Sequence, residues 1–161
     1  MYKKNDYVVY KRNVCKIKDI KENTLMGKTY YVMTPLDDNS LIIDIPIDNE
    51  NNFLRDIISK EDAEKIIEKI KDIEPLEITN DKNIEFQYKE MLNTGKHENY
   101  IKIIKTTYLR NENRINKKKR ISEIDNTYFN LAEKYLYNEL SISLNKSIEE
   151  IKEYIFEKVS S

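Results

Sequence analysis

The sequence predicts an α+β chain, with a small antiparallel β-barrel over residues 1–57 followed by an all-α bundle of about five helices over residues 58–161. Three observations carry that expectation. Up to Ile47 the apolar residues fall in short runs rich in β-branched and aromatic side chains, the pattern of strands. From Ser59 onward they recur every three or four residues, the spacing of one helical face. Gly and Pro number only two and three in 161 residues, which favours long uninterrupted helices over a loop-rich fold.

The strand candidates come in order as Tyr7-Val8-Val9-Tyr10, then Val14 to Ile20 with clearer alternation, then Tyr30-Tyr31-Val32-Met33 after Gly27, then Leu41 to Ile45 ending at Pro46. Between them, Lys11-Arg12-Asn13, Lys21 to Lys28 and Leu36 to Ser40 have the composition of hairpin connections. Four or five strands in about fifty residues protect their edges best by curling into an SH3- or Tudor-like barrel.

The helices begin with a capping pair, Ser59 with Asp62, ahead of Ala63, Ile66, Ile67, Ile70 and Ile73, and this face stops at Pro75. A second helix carries Phe86, Tyr88, Met91 and Leu92 and should end near Asn93-Thr94-Gly95. A third carries Tyr100, Ile101, Ile104 and Tyr108. The polar run Asn111 to Arg120 reads as a loop or frayed helix end. Ser122 with Asp125 caps a fourth helix whose face is Tyr128, Phe129, Ala132, Tyr135, Leu136 and Leu140. Ser147-Ile148-Glu149-Glu150 is a capping box before Ile151, Tyr154, Ile155 and Val159. Tyr100, Tyr108, Tyr128 and Tyr135 fall at core-facing positions, so packing is expected of them rather than base stacking.

Charge is distributed unevenly along a chain whose formal net charge is only −1. Lys82 to Arg120 holds eleven basic and four acidic residues, a net of +7, whereas Ile58–Asp81 and Ile121–Ser161 each net −4. A basic segment between acidic flanks suits contact with phosphate backbone, above all at Lys117-Lys118-Lys119-Arg120. Lys82, Lys89, Lys102 and Lys105 would share a face with it if the second and third helices pack antiparallel. Ile84 and Phe86 lie between Lys82 and Lys89, where an exposed apolar side chain could wedge against a base step; closing the helix seam is the competing role.

The residues for catalysis are sparse. Cys15 is the single cysteine, so no internal disulfide can form, and His97 is the single histidine, read as a loop or helix-end residue without a role. No Gly-rich phosphate loop, Cys/His ligand set or nucleophile elbow occurs, so neither enzyme activity nor a cofactor or metal is expected. Nothing resembles a signal peptide or a span of apolar residues, so a cytoplasmic protein with no membrane partner is expected.

Taken in order, these features resemble the CarD/CdnL family of bacterial transcription regulators. The resemblance rests on Asp6-Tyr7-Val8-Val9-Tyr10, on Gly27 with Tyr30-Tyr31-Val32, and on Leu41-Ile42-Ile43-Asp44-Ile45-Pro46. It continues through Leu54-Arg55-Asp56-Ile57-Ile58-Ser59, similar to the family's arginine-containing approach to its first helix, and Phe86 to Leu92, similar to its basic-aromatic helix. Ile121-Ser122, Leu131-Ala132, Leu136 and Glu139-Leu140 follow the family's spacing in the fourth helix. The resemblance implies a Tudor-like module, residues 1–57, that binds the β subunit of RNA polymerase through Ile42, Ile43, Asp44, Ile45 and Pro46. It also implies a helical module, residues 58–161, that contacts promoter DNA at the upstream edge of the melted region without sequence specificity and modulates the open complex. Contacts would come from Lys82, Ile84, Phe86, Lys89, Lys117, Lys118, Lys119 and Arg120, with the chain acting as a monomer.

Three positions depart from the family pattern. Tyr10-Lys11-Arg12-Asn13 replaces a Tyr-Pro turn, Asp44 stands where a basic residue is common, and Ile84 aligns with the family's wedge tryptophan. A polymerase- or protein-binding adaptor with a degenerate DNA module is therefore a second expectation from the same residues.

Overall fold

In the computed structural model, which describes every residue except 24, 26, 49–52, 79 and 161, the chain divides into two compact units, Met1–Ile58 and Ser59–Ser161. The first holds strands β1 (Tyr7–Tyr10), β2 (Asn13–Asn23), β3 (Lys28–Pro35), β4 (Ile43–Pro46) and β5 (Leu54–Asp56). The second holds helices α1 (Lys60–Lys69), α2 (Ile84–Asn93), α3 (His97–Asn116), α4 (Glu123–Leu144) and α5 (Ile148–Ser160). The fold is α+β, a five-stranded antiparallel sheet followed by five helices.

The strands run in the order β4-β3-β2-β1-β5, every neighbouring pair antiparallel. Alternation sends Val8, Cys15, Ile17, Tyr31 and Met33 into one core, against which Ile43, Ile45, Ile47 and Leu54 pack from the two outer strands. Burial pushes the Cys15 thiol up to about 11, consistent with a packing role for this residue. Leu54-Arg55-Asp56, which the sequence places in the approach to the first helix, instead forms β5 through pairing with Val8, Val9 and Tyr10. Tyr2 straps the sheet: its N–H donates to the Tyr31 hydroxyl of β3 at 3.0 Å, and its own hydroxyl donates to Asp56 of β5 at 2.7 Å. Tyr2 thus reaches both strands, its backbone bonding Tyr31 and its side chain Asp56, and its ring meets that of Tyr31 edge-on with centroids 5.8 Å apart. The expected barrel is not closed, however, since no ladder joins β4 to β5 among the described residues.

The β1–β2 turn takes positive φ at both Lys11 (47°) and Arg12 (74°), between the paired residues Tyr10 and Asn13. Positive φ at both central residues is the requirement of a type I′ hairpin turn. The ladder therefore forces onto two L-residues the conformation that Asn-Gly would adopt freely.

In the second unit each cap signal forms. Asp62 N–H bonds the Ser59 hydroxyl at 3.1 Å, Asp125 N–H bonds that of Ser122 at 3.2 Å, and Ser147 and Glu150 exchange reciprocal bonds of 3.1 and 3.3 Å. Helix α2 ends at Asn93, with Gly95 at φ 68°. The first helix stops at Lys69, and residues Ile70–Asp72 form a 3₁₀ turn. Helix α3 runs on to Asn116, beyond the expected boundary, because Asn111 and Arg114 are tied to the start of α4.

Helices α3 and α4 lie antiparallel, which two pairs at opposite ends make plain: His97 with Glu139, and Arg114 with Asp125. Their seam buries Tyr100, Ile101, Ile103, Tyr128, Ala132, Leu136 and Leu140, with Ala63, Ile67 and Ile70 from the first helical segment and Ile151 from α5 also in the core. Tyr108, expected inside, is half exposed, whereas Tyr137, which the periodicity does not single out, is buried. Val159 lies outside the residues whose side chains are described.

Candidate interaction surfaces

Edge strand β4 presents the first surface. Ile47 N–H donates to Thr29 O at 2.9 Å, so by the two-residue period Ile43, Ile45 and Ile47 direct their backbone groups to β3, and Asp44 directs its own outward. Pro46 occupies the next outward position, where its missing N–H removes no ladder bond. Side chains follow the same division. Ile43 and Ile45 pack on the core, Asp44 is exposed, and Ile42, just before the strand, is 68 % exposed. Of the five residues expected here, Ile42 and Asp44 are presented, while Ile43, Ile45 and Pro46 set their orientation.

The second surface lies at one end of the helical unit. Residues Asp81–Asn83 form a 3₁₀ turn that runs into α2, with Asn80 capping it by accepting from Lys82 N–H at 3.0 Å. Lys82, Phe86 and Lys89 follow at i, i+4 and i+7 and are exposed. Lys89 is paired with Glu85 at 3.2 Å. Ile84 belongs to the opposite stripe with Tyr88 and Leu92 and is only 5 % exposed, whereas Phe86 is 64 % exposed. The helix that points one of these side chains inward must point the other outward, so the apolar group presented beside the lysines is Phe86 and not Ile84. Lys105 also leaves the expected basic face, because its ammonium donates to the carbonyls of Ile70 and of Ile73. Lys102 is paired with Glu98 at 3.8 Å.

A buried carboxylate connects α2, α3 and α4. Asp125 is fully buried and accepts hydrogen bonds from the Tyr88 hydroxyl at 2.8 Å, Arg110 Nε at 3.0 Å and Arg114 at 2.6 Å. Burial pushes its carboxyl up, but the bonds from Arg114, Tyr88 and Arg110 outweigh this and hold it below the ordinary aspartate range. Burial and the bond to Asp125 raise the Tyr88 hydroxyl above its ordinary value. Asn111 Oδ1 accepts from both Arg114 and Ser122 N–H, at 2.7 and 2.9 Å, so the short connection from α3 to α4 is pinned near both ends. Arg110 reaches Asp81 as well, at 3.3 Å. That contact brings the start of α2 beside the end of α3, so the two stretches of the basic segment meet at one end of the bundle.

Lys117, Lys118, Lys119 and Arg120 are all exposed. Lys117 ends α3, and Lys118, at φ 58°, turns the chain back so that Lys119 N–H bonds Arg114 O at 2.8 Å and Lys118 N–H bonds Ile115 O at 2.9 Å. This is a Schellman motif with lysine at the position that glycine prefers. Lys118→Gly is expected to raise stability in urea denaturation by about 0.5–1 kcal/mol, since it removes a left-handed strain of about 1–2 kcal/mol and gives part of the gain back as chain entropy.

Sequence reading missed Asp125, Arg110, Arg114 and Tyr88 as a unit. Arg110 and Arg114 count toward the +7 of the basic segment, yet half of their role is internal. The available signal was the helical spacing of the two arginines near a capping Asp, but only the tertiary contact identifies the partner. His97 likewise gains a partner, with Nε2 at 2.8 Å from the buried Glu139.

No helix among the described residues is long and apolar enough to cross a membrane. No curated protein matches the chain. Residues 2–58 match the family model described as CarD-like/TRCF RID domain, where RID denotes an RNA polymerase-interacting domain. The match covers the sheet from Tyr2, which straps it, through β5, so it is the N-terminal unit of this chain that is similar to the CarD-like/TRCF RID domain family.

Proposed function

We propose that this protein is a CarD-like transcription regulator. Its N-terminal unit docks on the β subunit of RNA polymerase, and its helical unit contacts promoter DNA at the upstream edge of the melted region, modulating open-complex stability. The observation that carries the reading is the family match over residues 2–58. The outward backbone groups of Asp44 support docking by strand addition, in which a partner strand extends the sheet and exposed side chains such as Ile42 supply specificity. Because main-chain bonds carry such a contact, an acidic side chain at position 44 is compatible with it.

For DNA, the supporting features are the exposed Lys82, Phe86 and Lys89 face and the Lys117 to Arg120 turn, which share one end of the bundle. Phe86 takes the wedge role in this reading. Its ring offers more stacking area than an isoleucine, and its exposure leaves it free to enter a base step. The phosphate contacts supply affinity and the wedge supplies preference for a distorted step; neither reads sequence.

The test is retention of the cognate polymerase β subunit by the full-length protein. Asp44→Pro deletes the outward N–H at the exposed edge and should abolish retention, while Asp44→Ala, which keeps the backbone donor, should retain the subunit. Failure of the unaltered protein to retain it would overturn the docking half of the proposal.

The second reading, an adaptor without DNA contact, draws on the burial of Ile84 at the family's tryptophan position. Fork-DNA binding at low salt separates the two.

A further inference from the structure

We infer that the hollow lined by Asp81, Arg110, Asn113, Arg114, Lys117 and Lys119 is a site for a single phosphate group, in which the Asp81 carboxylate stands in for that phosphate in the free protein. The hollow is about 240 Å³, and four basic side chains face one surface carboxylate across it. With Asp125 beneath counted as well, four positive charges meet two negative ones, and displacing Asp81 raises the excess from two to three, which favours an anion.

The cations are preorganised. Asp125 fixes both guanidiniums from behind while occupying only part of their donors: Arg110 uses Nε and one terminal nitrogen, and Arg114 uses one terminal nitrogen for both of its bonds. A guanidinium has five N–H donors in a rigid fork, so both arginines, which line the hollow, keep donors beyond these bonds. A helix C-terminus would ordinarily repel an anion. Here the carbonyls of Asn113, Arg114 and Ile115 accept N–H groups of Lys117, Lys118 and Lys119, and the same reversal of the chain carries Lys117 and Lys119 over the helix end.

Asp81 is the more weakly held of the two carboxylates. Its carboxylate is 79 % exposed and meets Arg110 at 3.3 Å, against 3.0 and 2.6 Å for the arginine contacts to Asp125. An arriving phosphate therefore replaces Asp81 and leaves Asp125 in place. Asp81 begins the 3₁₀ turn that contains Lys82 and leads to Phe86, so exchange at the hollow is coupled to the segment that bears the proposed wedge. This deepens the DNA reading, and rests on it only in taking the phosphate to be a backbone phosphodiester in the cell.

The test titrates inorganic phosphate into the full-length protein and follows the Arg110 and Arg114 side-chain N–H resonances. Saturable shifts are expected at both arginines. Asp81→Asn should tighten phosphate binding about fivefold, the scale of an exposed ion pair, whereas Glu85→Gln, which removes an equal charge from the neighbouring Lys89 pair, should leave it unchanged. Lys117→Ala with Lys119→Ala should weaken it. Shifts spread evenly over the exposed lysines, or equal effects of Asp81→Asn and Glu85→Gln, would overturn the inference. A parallel titration with fork DNA identifies the source: phosphate binding without DNA binding keeps the anion site and removes the DNA reading, while DNA binding without shifts at the two arginines does the reverse.

Discussion

Asp125→Ala should cost about 3 kcal/mol of stability, read as a lower urea midpoint with an unchanged slope. The substitution leaves two guanidiniums and the Tyr88 hydroxyl without the acceptor around which three helices converge. Removing one partner of a buried ion pair costs about 3–5 kcal/mol, and the lower end applies because the arginine side chains are 23 and 24 % exposed and regain some water. Against a total of roughly 5–15 kcal/mol for a domain, that loss is large. Asp125→Asn keeps the shape and loses the charge, so it should fall between Ala and the native residue.

The same carboxyl sets an acid limit. Because its folded value lies below the unfolded one, its stabilisation is fully present above the ordinary aspartate range near pH 4 and is lost as pH falls through the folded value. In Asp125→Asn this part of the pH-stability curve should flatten. A decline of the same depth in that variant would show that other carboxylates govern acid unfolding.

Replacing Lys117, Lys118, Lys119 and Arg120 together by alanine should reduce the salt slope of fork-DNA binding by about 3.6, at about 0.9 per phosphate contact, and weaken binding most at low salt. Phe86→Ala should act differently, lowering affinity at every salt concentration with the slope unchanged, because a wedge against a base step releases no counterions. The pair of measurements separates phosphate contact from insertion. An unchanged slope in the quadruple variant would place the DNA contacts elsewhere, and no binding by the native protein at low salt would favour the adaptor.

Much of the architecture was legible because local chemistry determines it. Ser59, Ser122 and Ser147 each cap a helix through a residue three positions on, and the alternation of Val8, Cys15, Ile17, Tyr31 and Met33 determines which face of the sheet is covered. These are contacts between neighbours or consequences of period, and a sequence states both. The third strand run and Pro46 likewise marked where β3 lies and where β4 ends.

What escaped the sequence depended on partners far along the chain. Leu54-Arg55-Asp56 has no strand period of its own over three residues and is a strand only because β1 lies beside it. Both Ile84 and Phe86 are apolar and near a helix start, and Tyr88, bound to Asp125 across 37 residues, decides which one is buried. Arg110, Arg114 and Lys105 look like surface charge in the sequence, yet a buried carboxylate or a pair of carbonyls engages each of them. By itself the sequence determined the order of the first four strands and the helices, the three serine caps and the one-sided charge of Lys82 to Arg120. The tertiary structure alone decided which of those charges and apolar side chains remain at the surface, because exposure depends on residues distant in sequence that pack against them.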